Sequence, residues 1–474
     1  MYIATSKQLK RYDQALLDYG YSIEELVDKA SDCLIKHFHH YRKVMIVCGP
    51  GNNGADGISL GIKLFKEGKE VLLCYSGLPE KLSQANNYYV QQVDNLGIET
   101  LFLDEESLDE FQRRMNDYDV VVDALFGFGL NSDLRGIVKY VVDAINNTME
   151  NDVISIDIPT GLNPDTGNPY NSCICALQTI TLTAYKLAFL NPDSSLYTGK
   201  ISLELLDAKS FHEEMLFSQP IDYKWAKYHL KERVYDGHKG TYGKIIHVTG
   251  CYHYRGAALL ASKAALYTGS GLVTVCSNEK VIDALSLYCP EATSMVRNTY
   301  LDEKVFHDKD ALLLGSGLGL NEENEQLVCR LLKNIKIPTV IDGDALTILS
   351  KHLELLENHE GPWILTPHHG EFKRFVNFSN ISEMIDQANV FAKKYHIILV
   401  LKGPHTFISA GMGDTLAGII SSFLGQGYLP KEAALLGTYL HGLCGDEVYK
   451  ENYTVIASKV IEKIPMMMKK LKED

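Results

Sequence analysis

Short apolar runs alternate with amphipathic stretches along the whole chain, and this pattern leaves room for little besides an α/β architecture with largely parallel sheets. Val44–Cys48, Val71–Cys74, Val120–Leu125, Val153–Ile158 and Ile201–Leu206 read as strands. A helix is expected over Ile58–Glu67, ending at Gly68, a residue suited to the position after a helix. Thr5 with Gln8, and Ser22 with Glu25, read as capping boxes. After Asp207 the alternation lapses into a polar and aromatic stretch containing Pro220 and Trp225. A second series starts at Ile245–Val248 and runs through Val273–Val275, Ala311–Leu314, Thr339–Ile341, Trp363–Leu365 and Ile397–Leu401. Helices are expected from Asp414 and from Lys431 onward. The expected organisation is a front domain over 1–210, a linker region over 211–233 and a rear domain over 234–474.

Composition narrows the class. At 46% hydrophobic residues, either half can bury a core of its own. The formal net charge is −14, and the one basic block is the tail Lys469-Lys470-Leu471-Lys472, which argues against a nucleic-acid partner. No uncharged apolar run reaches the ~18 residues of a membrane span, and Met1 to Lys10 carries no apolar leader core. Ten cysteines without a C-x-x-C pair fit reduced thiols and a cytoplasmic location.

The first chemical constellation follows the first strong strand: Gly49-Pro50-Gly51-Asn52-Asn53-Gly54-Ala55-Asp56-Gly57. Gly49, Gly51 and Gly54 satisfy the dinucleotide fingerprint, but the next strand ends in Cys74-Tyr75 where an acidic residue should stand. A Rossmann dehydrogenase is therefore the runner-up for this half. Asn52, Asn53 and Asp56 put three polar side chains into the glycine loop. Two further strand ends are acidic, Val122-Asp123-Ala124-Leu125-Phe126-Gly127-Phe128-Gly129-Leu130 and Ser155-Ile156-Asp157-Ile158-Pro159-Thr160-Gly161. Ligands of open parallel sheets bind beyond the carboxyl ends of the strands, where both acids fall. One such acid alone would read as a helix cap; two beside an Asn-Asn loop read as a site. These motifs, with Thr183-Ala184-Tyr185-Lys186-Leu187-Ala188, resemble the NAD(P)H-hydrate epimerase family over roughly residues 1–210. The resemblance implies a Rossmann-like domain with the hydrated dinucleotide held by Asn52, Asn53, Gly54, Ala55 and Asp56, and by Gly127, Phe128, Gly129, Leu130, Asn131, Ser132 and Asp133. It implies K⁺ bound by Asn53, Asp123 and Thr160, and Asp157 as the substrate-contacting catalytic acid/base. Ala55 and Phe128 stand where the family usually has smaller or hydroxyl residues.

The second constellation is Gly411-Met412-Gly413-Asp414-Thr415-Leu416-Ala417-Gly418. Two glycines bare the backbone before a helix whose free N–H groups and dipole attract anions, with Asp414 read at the cap as a base. Thr366-Pro367-His368-His369-Gly370-Glu371-Phe372, Leu401-Lys402-Gly403-Pro404-His405-Thr406 and Gly315-Ser316-Gly317-Leu318-Gly319 accompany it. Lys402 and the Gly403 backbone suit nucleotide phosphates; His368 reads either as a ligand donor or as a turn histidine. With His238-Lys239-Gly240-Thr241-Tyr242-Gly243-Lys244, Gly256-Ala257-Ala258 and Pro290-Glu291-Ala292, they resemble the ADP/ATP-dependent NAD(P)H-hydrate dehydratases of the ribokinase-like superfamily, over roughly His238 to Pro465. The resemblance implies adenine-nucleotide contacts from Lys402, Gly403, Pro404, His405, Thr406 and Gly413. It implies substrate contacts from Ala257, Gly317, His368 and Asp414, with Asp414 catalytic. Mg²⁺ is expected, with Asp344 and Glu371 as indirect ligands. Two departures stand out. Cys251-Tyr252-His253-Tyr254-Arg255 replaces the family's small Ser/Gly run. Ile408-Ser409-Ala410 runs straight into Gly411, so this junction reads as a deleted or mobile loop.

The expectation is two three-layer αβα domains forming a bifunctional repair enzyme for hydrated NADH and NADPH, as a homo-oligomer. The alternative is a ribokinase-like kinase for a small molecule, fused to a non-catalytic ligand-binding domain.

Overall fold

A computed structural model describes residues 2–76, 82–147, 151–206, 221–297, 301–403 and 410–473. The chain forms two compact units, Met1–Pro220 with Asn380–Ser382, and Ile221–Ser379 with Glu383–Asp474. Cys48, Cys74, Cys173, Cys276, Cys289 and Cys444 are buried free thiols. No helix among the described residues is long and apolar enough to cross a membrane.

The front unit holds a seven-stranded parallel sheet in the spatial order Glu99–Phe102, Glu70–Tyr75, Lys43–Cys48, Val120–Ala124, Asp152–Ile156, Gln178–Leu182, Lys200–Glu204. The winding starts at Lys43–Cys48, runs outward to one edge, then returns to the other side of that strand. The carboxyl ends of Lys43–Cys48 and Val120–Ala124 therefore part into a crevice, the usual ligand position of a doubly wound sheet. Side-chain alternation sends Val44, Ile46 and Cys48 to one core with Ala55, Ile58 and Ile62, while Met45 and Val47 join Phe111, Val141 and Ile145 on the other face. Both faces are covered, so the central strands Lys43–Cys48 and Val120–Ala124 are largely apolar.

The rear unit repeats the winding with unrelated loops. Its order is Thr293–Val296, Leu272–Ser277, Lys244–Val248, Ala311–Leu314, Thr339–Ile341, Trp363–Leu365, Ile398–Leu399, again all parallel. The buried helix Met412–Gly425 packs on Arg255–Tyr267 across this sheet; Gly418 lacks a side chain because its Cβ would lie 2.2 Å from the Ala261 carbonyl oxygen. Residues 207–220 lie outside the described chain, and helix Tyr223–His229 packs into the rear core through Ala226.

Both capping boxes form, at helices Ser6–Tyr19 and Ile23–Leu34. One boundary differs. The helix expected from Ile58 starts at Asn52, so the glycine loop is itself the first helical turn. Asn and Gly are poor helix formers. Packing overrides them: a Cβ on Gly57 would sit 2.6 Å from the Ala124 methyl, and one on Gly61 2.8 Å from Leu73, so glycine lets this helix lie against the sheet.

Candidate active sites

The front crevice is a cleft of about 410 Å³. Asn52, Asn53, Asp56, Gly127, Phe128, Gly129, Leu130 and Asp157 line it. Gly54 and Ala55 lie buried behind the loop, with Gly54 pressed on the Gly49 carbonyl. Asn131, Ser132 and Asp133 are exposed and are not among the lining residues; the Asp133 carboxylate accepts the Asn171 N–H at 3.2 Å.

Asp157 follows the strand Asp152–Ile156 with φ 70°, a left-handed backbone rare outside glycine and asparagine. Such strain costs about 1–3 kcal/mol and clusters at functional sites. The Asp157 N–H donates to Ile180 O at 2.8 Å, which holds the turn. Its Oδ1 is ion-paired with Lys186 Nζ and accepts the Leu182 N–H at 3.3 Å; Oδ2 accepts the Phe128 N–H at 3.3 Å. Lys186 is 1% exposed and also donates to Leu182 O at 3.0 Å. The N-terminal strand Ile3–Ala4 fixes it by pairing with Tyr185–Lys186. Gly127 is bare because a Cβ would stand 3.1 Å from Asp157 Oδ2 and 3.3 Å from Asn53 Oδ1.

Asp13, on helix Ser6–Tyr19, escaped the sequence reading and lines the same cleft. Burial first, then the charge of Asp157, pushes its carboxyl up to about 6. Asp56 is raised well above the usual carboxylate range by burial and by the charges of Asp157 and Asp13. The cleft thus places a lysine-paired carboxylate beside two carboxyl groups that retain protons at higher pH than ordinary acids.

Asp123 is fully buried and saturated by four donors: Leu125 N and Thr160 Oγ on Oδ1 at 3.2 and 2.7 Å, Ser155 Oγ and Thr160 N on Oδ2 at 2.8 Å each. Burial still raises its carboxyl against those hydrogen bonds. Asn53 Nδ2 is buried and, among the described residues, finds no acceptor. Oxygens of the Asn53 amide, the Asp123 carboxylate and the Thr160 hydroxyl are of the kind a monovalent hard cation takes, but a cation at Asp123 and Thr160 would have to displace hydrogen bonds that these oxygens hold here.

In the rear unit the sequence-predicted residues converge at the same end of the sheet. A Cβ on Gly317, φ 61°, would lie 2.6 Å from the Ala257 methyl, so these two touch. Lys402 pairs in register with His368, its N–H on Pro367 O at 2.9 Å, and its ammonium lies 3.1 Å from where a Gly413 Cβ would be. Gly403 follows directly; Pro404, His405 and Thr406 lie outside the described residues, as do Ile408 and Ser409 of the junction.

Asp414 is not the helix cap. Gly411, φ 93°, is the N-cap of Met412–Gly425, and Asp414 is its third residue with no capping hydrogen bond from Gly411. The open first amides of that helix remain available to an anion. Asp342, missed in the sequence, sits at the centre. Its Oδ1 accepts Lys402 Nζ at 2.8 Å and Thr366 Oγ at 2.7 Å, and Oδ2 accepts Ser316 Oγ at 2.9 Å. Burial would raise this carboxyl, but Lys402 and the hydroxyls outweigh it and hold it below the usual range. Asp414 takes the opposite course: burial and the Asp342 charge push it up to about 7, against the pull of Lys402. The signal available in the sequence was Asp342-Gly343 at the end of Thr339–Ile341, the same strand-end rule that found Asp123 and Asp157.

His368 caps helix His369–Phe372: its Nδ1 accepts the Gly370 and Glu371 N–H groups at 3.0 and 3.3 Å, and Glu371 Oε2 accepts the His368 N–H at 2.9 Å. An accepting Nδ1 leaves Nε2 as the N–H donor. Asp344 accepts the Gly319 N–H at 2.7 Å, so Asp344 and Glu371 both hold backbone amides. The described residues contain no group of three or more His, Cys, Asp or Glu that could hold a metal. The His238–Lys244 segment precedes its strand, at the opposite end of the sheet, and packs there: a Cβ on Gly243 would strike Gly425 O at 2.2 Å.

Comparison with known proteins follows the same division. A family model described as "YjeF-related protein N-terminus" matches residues 23–188. One described as "NAD(P)H-hydrate dehydratase" matches residues 245–410 and 408–466, two segments that overlap at the junction before Gly411. A bifunctional NAD(P)H-hydrate repair enzyme of Thermofilum pendens is 31% identical over all of this chain and 97% of its own. An ADP-dependent (S)-NAD(P)H-hydrate dehydratase of Staphylococcus aureus is 35% identical over 51% of this chain and 94% of its own. The crystal structure of a ribokinase-like superfamily protein from Enterococcus faecalis is 28% identical, covering 55% of this chain and 99% of that one, with a TM-score of 0.49.

Proposed function

We propose that this chain, which belongs to the family of bifunctional NAD(P)H-hydrate repair enzymes, works at two separate sites. The front unit interconverts the R and S forms of hydrated NADH and NADPH; the rear unit returns the S form to NADH or NADPH at the expense of ADP or ATP. The observation that carries this reading is full-length likeness to a bifunctional relative, together with an acid-bearing cleft in front and the cluster of Asp342, Lys402 and Asp414 behind.

Inverting C6 of the hydrated nicotinamide requires opening its hemiaminal and closing it from the other face. One group must take the hydroxyl proton and another must protonate the ring nitrogen. Asp157, held as a pair with Lys186, serves as the proton acceptor; Asp13 and Asp56 hold the protons to be given. Positioned groups of this kind supply about 10²–10⁴-fold. Asn53, Asp123 and Thr160 would hold K⁺, which would offset the buried charge of Asp123 and fix the Asn-Asn loop against the strand end.

In the rear unit Asp414 takes the C6 hydroxyl proton as that oxygen bonds to the terminal phosphorus of the nucleotide, whose bridging P–O bond breaks. Lys402 and the open amides before Gly413 face the charge that develops. The ring nitrogen then expels phosphate, a C5 proton is lost, and the double bond returns. Mg²⁺ would neutralise phosphate charge. Asp344 and Glu371 already hold backbone amides, so the nucleotide's own phosphates would be its main ligands. The reading includes a cytoplasmic homo-oligomer.

Incubation with a mixture of both hydrated NADH epimers and ADP tests the reading. Complete return of the reduced-nicotinamide absorbance is expected. A stable phosphate ester with no return of absorbance would favour the kinase alternative, and no reaction would reject both.

A further inference from the structure

The loop Cys251–Arg255, where this chain departs from its family, takes no part in the chemistry above. It forms one wall of a second rear cleft of about 490 Å³. The opposite wall is Leu318–Asn321, with Asn278 and Arg297 at the base. Every wall follows the carboxyl end of a strand: Lys244–Val248, Leu272–Ser277, Thr293–Val296 and Ala311–Leu314. The cleft therefore opens on the same side of the sheet as the Asp414 site. The two are neighbours: Gly317 packs against both Ala257 and Tyr254, since a Cβ there would meet the Ala257 methyl at 2.6 Å and Tyr254 Cβ at 2.9 Å.

Arg297 is the charged group of this cleft. Its N–H donates to Ser277 O at 2.6 Å, which pins the backbone, but its side-chain Nη1 is buried without a hydrogen-bond partner among the described residues. Burial lowers its affinity for the proton below that of an ordinary arginine. Glu323 also lines the cleft, but it is exposed and forms no ion pair with Arg297 within 4 Å among the described residues. A guanidinium N–H buried without an acceptor is costly, and a ligand that satisfies it while meeting the rest of the half-buried guanidinium is an anion with several oxygens. Beside it stand exposed aromatic rings. Tyr252 is held by Arg255, which stacks 4.7 Å from the ring centroid and donates to Tyr252 O at 3.1 Å; His253 meets the same ring edge-on at 5.2 Å. Anion anchor and aromatic faces together match a nucleotide.

The hydrated dinucleotide needs such a place. With its nicotinamide at Ala257, Gly317 and Asp414, the rest of the molecule must leave the reacting centre. The side toward Lys402 and Gly413 is assigned to the adenine nucleotide, and on the other side, beyond Gly317 and Tyr254, lies this cleft. We propose that the cleft binds the phosphate-bearing adenosine half of the hydrated dinucleotide, with Arg297 on a phosphate and Tyr252 and Tyr254 against the base. The proposal rests on the dehydratase reading of the rear site.

The test is Arg297→Gln in the full chain, assayed at saturating ADP with hydrated NADH and hydrated NADPH. Loss of one charged hydrogen-bond donor should raise KM for the dinucleotide about 10- to 100-fold, with kcat and the KM for ADP nearly unchanged. A rise confined to hydrated NADPH assigns Arg297 to its extra phosphate, and an equal rise for both assigns it to the pyrophosphate; Arg297→Lys should recover part of either. Unchanged KM for both dinucleotides, or loss confined to kcat or ADP, would overturn the proposal. Calorimetric titration with ADP-ribose, which has the adenosine half and no nicotinamide, separates this from the parent reading: binding should weaken in Arg297→Gln and persist in Asp414→Asn. Binding of equal strength in wild type and Arg297→Gln, with both variants folded by circular dichroism, also counts against it. Absence of dehydration in wild type would instead strike the parent reading.

Discussion

The two units wind their sheets in the same order, yet they distribute charge differently over acids at the same sheet end. In each, a lysine is committed to one carboxylate: the buried Lys186 to Asp157 in front, the partly buried Lys402 to Asp342 behind. In each, burial and then the charge of that paired carboxylate raise a neighbouring acid: Asp13 to about 6 in front, Asp414 to about 7 behind. The difference lies in which member meets the reacting hydroxyl. On the proposed reading it is the paired acid, Asp157, in the front unit and the unpaired one, Asp414, in the rear unit. A single sheet winding thus offers either a lysine-paired carboxylate or an unpaired acid raised to about 7, according to which acid the lysine reaches. Fold alone would not distinguish the two chemistries.

The largest expected effect falls on the unpaired acid. Asp414→Asn should lower dehydration by about 10³- to 10⁴-fold and leave ADP affinity near wild type, measured by stopped turnover and by calorimetry. Weakened ADP binding with intact turnover would put Asp414 among the nucleotide ligands and dissolve the contrast with Asp157.

Next in size is the stability of the paired acid. Lys186→Met leaves Asp157 buried and unpaired, and removing one partner of such a pair costs about 3–5 kcal/mol. Denaturant melts should show the front unit unfolding early, with dehydration of the S epimer preserved. Lys186→Met with Asp157→Asn should recover most of that loss. If Lys186→Met melts like wild type, the pair is not what holds the front site.

The rear site should also show its titration. A base with a pKa of about 7 must be deprotonated to act, so kcat/KM for dehydration should fall roughly tenfold per pH unit below that point. Asp342→Asn removes a negative neighbour and frees Lys402, and both changes lower the Asp414 pKa. The acid limb should therefore move to lower pH, by on the order of one unit. A limb that stays in place, or moves upward, would contradict the shared electrostatics of Asp342, Lys402 and Asp414.

The smallest effect concerns the cation. Replacing K⁺ by a much larger or smaller monovalent ion should slow epimerisation by roughly tenfold, and Asp123→Ala should reproduce the loss, with dehydration untouched. Insensitivity to the ion in wild type would reduce Asp123 to a hydrogen-bond hub for Ser155 and Thr160.

Much of this arrangement was legible from local sequence. Acids at strand ends, glycines before helices and apolar alternation act over a few residues, so Asp123, Asp157, Gly127 and the helix start around Gly411 could be read directly, though Asp414 lies inside that helix and not at its cap. Asp13 and Lys186 could not be given roles, because only the pairing of Ile3–Ala4 with Tyr185–Lys186 and the packing of the first helix bring them to Asp157. Asp342 was within reach of the strand-end rule and was passed over beside louder motifs. The helix start at Asn52 was hidden because intrinsic propensity disfavours it and only contact with Ala124 and Leu73 repays the glycines. The cap role of His368 looks like a ligand signal in sequence, since both readings need an exposed ring nitrogen.

The most direct test of two independent sites is complementation between two disabled chains. Asp157→Asn should convert about half of an epimer mixture and then stall at the rate of spontaneous exchange, and Asp414→Asn should convert almost none. Mixed together with ADP, the two purified variants should restore complete return of the reduced-nicotinamide absorbance, because one supplies the epimerase and the other the dehydratase. A mixture that stalls where Asp157→Asn alone stalls would contradict the account.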